Sequence, residues 1–141
     1  MFRAIVLILL LIVAPGVSHA GSINESEQAE FQRIITEQID AFRADDGARA
    51  YAYAAPNIQQ IFPTSDIFLQ MVKQRYQPVY RPQSFRFGPA GDDPFGRPSQ
   101  KVTIVGPDGK SYEALYSMQR QSDGSWLIEG CTLLEVPGLD A

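Results

Sequence analysis

Between Lys73 and Lys101 the chain interleaves cations with rings. Lys73, Arg75, Arg81, Arg86, Arg97 and Lys101 face only Asp92 and Asp93, and Tyr76, Tyr80, Phe85 and Phe87 lie among them. Arginine presents a planar fork of donors that matches an anion, and aromatic rings supply apolar walls. The pattern predicts a mouth for an anionic or aromatic small molecule built from Arg75, Tyr76, Tyr80 and Arg81, with Tyr112, Tyr116 and Trp126 as further candidate contacts. The competing reading makes these cations partners of an acidic helix upstream and makes Trp126 a core residue.

Other chemistries find little material. The single histidine, His19, lies in a stretch expected to be removed, so neither a Ser-His-Asp nor a Cys-His arrangement is available to the mature chain. Glu113, Glu129 and Glu135 read as outward-facing on strands, so no catalytic residue is assigned. Asp92-Asp93 lacks the alternating carboxylates and bidentate glutamate of a calcium loop, and a zinc site would have only Cys131 and carboxylates to draw on. No metal and no cofactor is expected. Nucleic acid is disfavoured by a formal net charge of -4.

At the front, Arg3 precedes an apolar run from Ala4 to Val13, a Pro15-Gly16 break and the small-residue sequence Ser18-His19-Ala20. This is the layout of a cleavable signal peptide over residues 1–20. An apolar run of that length is too short to span about 30 Å of hydrocarbon, so no stable membrane anchor is expected after cleavage at Ala20. The expected location is periplasmic or secreted. The remaining chain, residues 21–141, has the length of one domain with one core. Its one cysteine, Cys131, leaves no internal disulfide.

The elements that position these residues come in two halves. Phe31, Ile34, Ile35, Ile39 and Phe42 recur at helical steps among Glu30, Arg33, Glu37, Asp40 and Arg43, which predicts a helix from Asn24 to Asp45. Asn24 with Glu27 fits its cap, and Asp46-Gly47 fits its stop. Shorter helices are expected over Ala48 to Ala55, over Asn57 to Phe62, and from Ser65-Asp66, the last burying Ile67, Phe68, Met71 and Val72. Prolines at 78, 82, 89, 94 and 98 then break the chain. Strands are predicted at Ser84 to Gly88 and at Lys101 to Val105, with a loop over Ala90 to Pro98 between them.

Ser111 to Glu135 alternates as a hairpin around Ser122-Asp123-Gly124. Strict alternation puts Tyr112, Ala114, Tyr116, Met118, Trp126, Ile128 and Leu134 on the core face. Leu115, Leu127, Cys131 and Leu133 then face outward, where the leucines offer a homodimer surface.

The stretches AFRADD, YAYAAP, FLQMV, YQPVYRP and ALYSMQRQSDGSWLIEGCTLL resemble the uncharacterised family called domain of unknown function 4864, over nearly the whole mature chain. That family is similar to the nuclear transport factor 2-like superfamily. The resemblance implies an α+β fold in which a long N-terminal helix and short helices pack on a curved antiparallel sheet of about four strands around a conical cavity. It implies no activity. The expected function is a non-catalytic small-ligand-binding or accessory module with an aromatic, locally basic pocket and an unidentified small-molecule ligand. Two alternatives stand beside it: a dimerising interaction module, and a cavity enzyme of isomerase or dehydratase type using a carboxylate and a tyrosine.

Overall fold

The computed structural model describes residues 23–137; the predicted signal peptide lies outside them. Five helices precede four strands: α1 (Glu25–Arg43), α2 (Gly47–Ala52), α3 (Pro56–Ile61), α4 (Ser65–Arg75), α5 (Gln77–Tyr80), then β1 (Ser84–Asp92), β2 (Pro98–Val105), β3 (Ser111–Arg120) and β4 (Trp126–Glu135). The strands form one antiparallel meander in the order β1-β2-β3-β4. The fold is α+β.

The apolar stripe of α1 drives its packing. Phe31, Ile34, Ile35, Ile39 and Phe42 are each at most 2% exposed, and burying a side chain of this size contributes about 1.5–3 kcal/mol. Asn24 accepts from the Glu27 amide, and the Glu27 side chain returns to the Asn24 amide, which closes the predicted capping box. The stop differs from expectation. Asp45 takes a left-handed conformation at φ 51° and ends the helix, whereas Asp46 caps the next one by accepting from the Arg49 amide. Gly47 opens α2, where a Cβ would come within 3.2 Å of Leu69 on α4, so glycine is set there by the close approach of the two helices.

The helix end is clamped from outside. Asp45 accepts from the Tyr80 hydroxyl and pairs with Arg81 at 3.0 Å and Lys73 at 3.8 Å. Arg81 also donates to the carbonyl of Phe42 in the last turn of the helix, and that carbonyl accepts from the Asp45 amide as well. The single turn α5, which the sequence pattern does not predict, holds Tyr80 in place. Pro78 has the character of a breaker, yet a proline in the first turn gives up no helical hydrogen bond.

Two bulges shape the sheet. In the first, β1 continues past Gly88 to Asp92 while its register with β2 slips between Phe87 and Ala90. The buried Gln100 amide donates to the carbonyls of Gly88 and Lys101, each at 2.8 Å, and so satisfies the backbone that the slip exposes. The expected loop shrinks to residues 93–97, where Asp93 accepts from the amides of Phe95 and Arg97.

The second bulge corrects the face assignment of β4. Ser117 pairs with Gly130 but Met118 pairs with Ile128, which leaves Glu129 unopposed and inverts the alternation beyond it. Cys131 and Leu133 therefore pack against the core, and Leu134 is 65% exposed. The leucine surface predicted on the outer face loses Leu133 and is crossed by the Lys101–Glu113 ion pair.

The clamp at Asp45 favours the charged form of its carboxyl. Its carboxyl is held below the ordinary value of 3.8 first by the Tyr80 hydrogen bond and then by Arg81 and Lys73. A depressed carboxyl contributes stability that is fully present above the unfolded value and disappears as pH falls through the folded one. The melting temperature of Asp45→Asn should accordingly fall less than that of the unaltered protein between about pH 5 and pH 3, followed by circular dichroism. Parallel curves would show that the clamp carries no acid-sensitive stability.

Candidate functional site

A cavity of about 290 Å³ lies between the C-terminal half of α1, the helices α3 and α4, and the inner face of β3 and β4. Its walls are mostly apolar, with Phe42, Ile58, Phe62, Phe68, Met71 and Val72 prominent. A few polar groups interrupt them: Gln38, Tyr76, Tyr116, Cys131 and Arg75.

Each polar group owes its place to local sequence. Gln38 stands in the apolar stripe of α1 and is 5% exposed; its amide donates to Ala50 O at 3.1 Å, joining α1 to α2. Tyr76 follows α4 and donates its hydroxyl to Cys131 O at 3.3 Å. Ala90, Gln100, Tyr116 and Cys131 form one row across the inner face of the sheet. Within that row the Tyr116 hydroxyl and Gln100 Oε1 are buried without a hydrogen-bond partner. Such a group ordinarily costs about 1–3 kcal/mol, so two in adjacent register positions need a reason.

The Cys131 thiol sits beside the Tyr116 hydroxyl, close enough to affect its ionisation, though the pair falls short of hydrogen-bond geometry. The residue is half-buried and contributes to the cavity lining. Burial pushes the thiol up to about 12 and pushes the Tyr116 phenol well above its usual 10.0. Both groups are therefore neutral at ordinary pH. The phenol of Tyr76 is raised as well, by burial first and then by Cys131, with Arg75 drawing it back.

Of the seven candidate contacts read from sequence, Arg75, Tyr76 and Tyr116 meet in this cavity. The other four lie elsewhere. Tyr80 and Arg81 belong to the Asp45 clamp, and the Arg81 guanidinium stacks 3.9 Å from the Tyr80 ring centroid. Tyr112 donates to Asp108 at 2.7 Å in the turn between β2 and β3. Trp126 packs edge-on against Phe31 at 4.9 Å, with Arg120 over its ring.

Gln38, Cys131 and the apolar walls were not among the candidates. Gln38 did carry a signal, since an amide within an otherwise apolar helical stripe must be buried and bonded. Carboxylates are absent from the cavity lining, and among the described residues no group of three or more His, Cys, Asp or Glu could hold a metal ion.

The family model described as Domain of unknown function (DUF4864) matches residues 24–141. The chain belongs to that family. No curated protein and no solved structure matches it. The DUF4864 match spans the elements that build the cavity, from α1 through β4.

The enclosed thiol generates a test at high pH. A cysteine that ionises at 9.0 when unfolded and at about 12 when folded keeps a proton that the unfolded chain has lost. Between those values the folding free energy should weaken by about 1.4 kcal/mol per pH unit from this group alone. Urea titrations at rising pH should show a shallower decline for Cys131→Ala than for the unaltered chain. Native protein should also resist iodoacetamide at mildly alkaline pH and react only on unfolding. Rapid alkylation of the folded chain at that pH would show that the thiol is not held in its neutral form.

Proposed function

We propose that this DUF4864 chain is an exported binding or accessory module whose cavity holds a small, largely apolar molecule, with residues 1–20 serving as a cleavable leader. The observation that carries the reading is the apolar cavity whose wall contains Tyr116, a buried hydroxyl with no protein partner. A ligand with a hydrogen-bonding atom would satisfy that group and remove its desolvation cost.

Binding is favoured over catalysis by the chemistry of the lining. Isomerase-type chemistry needs a base poised to take a proton, and no carboxylate or histidine lines the cavity. The two ionisable groups deepest in the wall, Tyr116 and Cys131, are driven further into their neutral forms and away from the range in which a base or nucleophile works. Asp45, which does accept from a tyrosine, stands on the surface with its side chain 52% exposed.

We assign the domain to the nuclear transport factor 2-like cone. In support, a long N-terminal helix is followed by short ones and a meander, the sheet is bent by two bulges, and the cavity opens between the helices and the inner sheet face.

A neutral apolar probe tests the binding reading. Decan-1-ol, kept below its solubility limit, should raise the melting temperature of the full chain, because a ligand that binds only the folded state stabilises it by mass action. Ile58→Trp fills the cavity from α3, a helix with no buried residue of its own, and should abolish the shift while the chain stays folded. An identical shift in that variant, or none in the unaltered chain, would remove the cavity from consideration.

A further inference from the structure

The cavity's charge is as informative as its shape. Six cations were candidates for an anion site, and the fold employs most of them. Lys73 and Arg81 pair with Asp45, Lys101 pairs with Glu113, and Arg97 lies over Phe95. Arg75 and Arg86 enter no ion pair among the described residues. Arg86 projects from the outer face of β1, opposite in direction to Phe85 and Phe87. Arg75 is different: it is exposed at the end of α4 and contributes to the cavity wall at the same time.

Arg75 is also the only formally charged residue of that wall, so the lining carries one positive charge and no negative one. Outside the mouth, Phe62, Met71 and Arg75 continue into a shallow apolar groove between α3 and α4. Ile61 is 68% exposed there and Ile67 is 48% exposed, although Ile67 was expected to be buried. Asp66 lies at the far end of this groove, nine residues before Arg75 on α4. At a rise of about 1.5 Å per residue the two charges are ~13 Å apart, so an anion at the mouth is drawn to the Arg75 end.

Volume bounds the ligand. A cavity of about 150 Å³ accepts benzene, and this one, at about 290 Å³, is close to twice that size. Twice the six carbons of benzene is about twelve non-hydrogen atoms. A single guanidinium fork matches one carboxylate, and a dianion would leave a charge unmatched.

Resting on the binding reading above, we propose that the ligand is a monocarboxylate of roughly ten to fourteen non-hydrogen atoms, its largely apolar body inside the cavity with one hydrogen-bonding atom toward the Tyr116 hydroxyl, and its carboxylate on Arg75 at the mouth. Phe62 and Met71 cover the ligand where it leaves the cavity. Arg75 and Tyr76 are neighbours in the cavity lining, and the Tyr76 hydroxyl donates to Cys131 O.

Three amphiphiles of matched chain, decanoate, decan-1-ol and decylamine, separate the sign of the charge from the cavity itself. Calorimetry on the full chain at neutral pH, below micelle-forming concentrations, should give decanoate the lowest Kd, by about three- to tenfold over decan-1-ol, because an ion pair at a partly exposed rim contributes modestly. Decylamine should bind weakest. Arg75→Gln should weaken decanoate to the level of decan-1-ol and leave decan-1-ol unchanged. Arg75 is exposed, so this variant is expected to fold. Equal binding of decanoate and decan-1-ol by the unaltered chain would overturn the carboxylate assignment and leave the cavity reading intact, as would a preference for decylamine. Failure of all three to bind, or binding that Ile58→Trp does not impair, would overturn the cavity reading and this inference with it.

Discussion

The stripe of α1 has to be buried against a sheet face whose middle row is not apolar. Above and below that row the pairing is simple: Val102 with Ala114, and Met118 with Ile128, present carbon to the helix. Between them lie Gln100, Tyr116 and Cys131, and opposite them α1 offers Gln38 rather than another isoleucine. Buried polar atoms demand partners, and two of them here are unsatisfied within the chain. The cavity lies against the Tyr116–Cys131 end of this row. Packing and site are thus two aspects of one mismatch.

The same row explains why the second bulge matters. Without the extra residue at Glu129, strict alternation would turn Cys131 outward and Leu134 inward. The bulge instead places a thiol beside Tyr116 and hands the sheet edge to other parts of the chain. Ala55 donates to Ile128 O at 2.8 Å and Ile128 donates to Tyr53 O at 2.9 Å, while Asn57 reaches Glu129 O at 3.0 Å. A strand edge that would invite a foreign strand is thereby partly covered. The covering segment leads directly into α3, the outer wall of the cavity.

Much of this is legible in the residues alone. The α1 stripe, its capping box, the meander and the β3–β4 hairpin follow from periodicity and turn residues that agree with one another. The departures share a physical origin. A bulge is one inserted residue, and hydropathy at Glu129-Gly130-Cys131 reads much the same with or without it. Pro78 and Asp46-Gly47 are compatible with either end of a helix, so local residue preference alone does not choose. The cation-and-ring segment stands out as a unit, but a linear run says nothing about which side of the chain each residue faces. Arg75 and Tyr76 turn toward the cavity, whereas Tyr80 and Arg81, four or five positions on, turn to hold the end of α1.

The cavity's persistence follows from how its walls are held. Protein interiors normally close on themselves, and a sealed void costs about 24 cal/mol per Å³ of volume. For a space of about 290 Å³ that would approach 7 kcal/mol, comparable to the whole stability of a small domain. Two features of the fold avoid so large a cost. The space opens beside Arg75, so it is not sealed. And α3, which buries no residue, is fastened by polar links that prevent collapse, among them the Tyr51 hydroxyl to Phe62 O at 2.6 Å and the Gln59 amide to Tyr51 O at 3.1 Å. A helix held by such links, with Ile58 as its apolar contact to the core, can stand off from the sheet. That stand-off leaves Phe62, whose ring lies 6.4 Å from that of Phe68, and Met71 at the rim of the space, and it is the condition under which a molecule of the proposed size could enter.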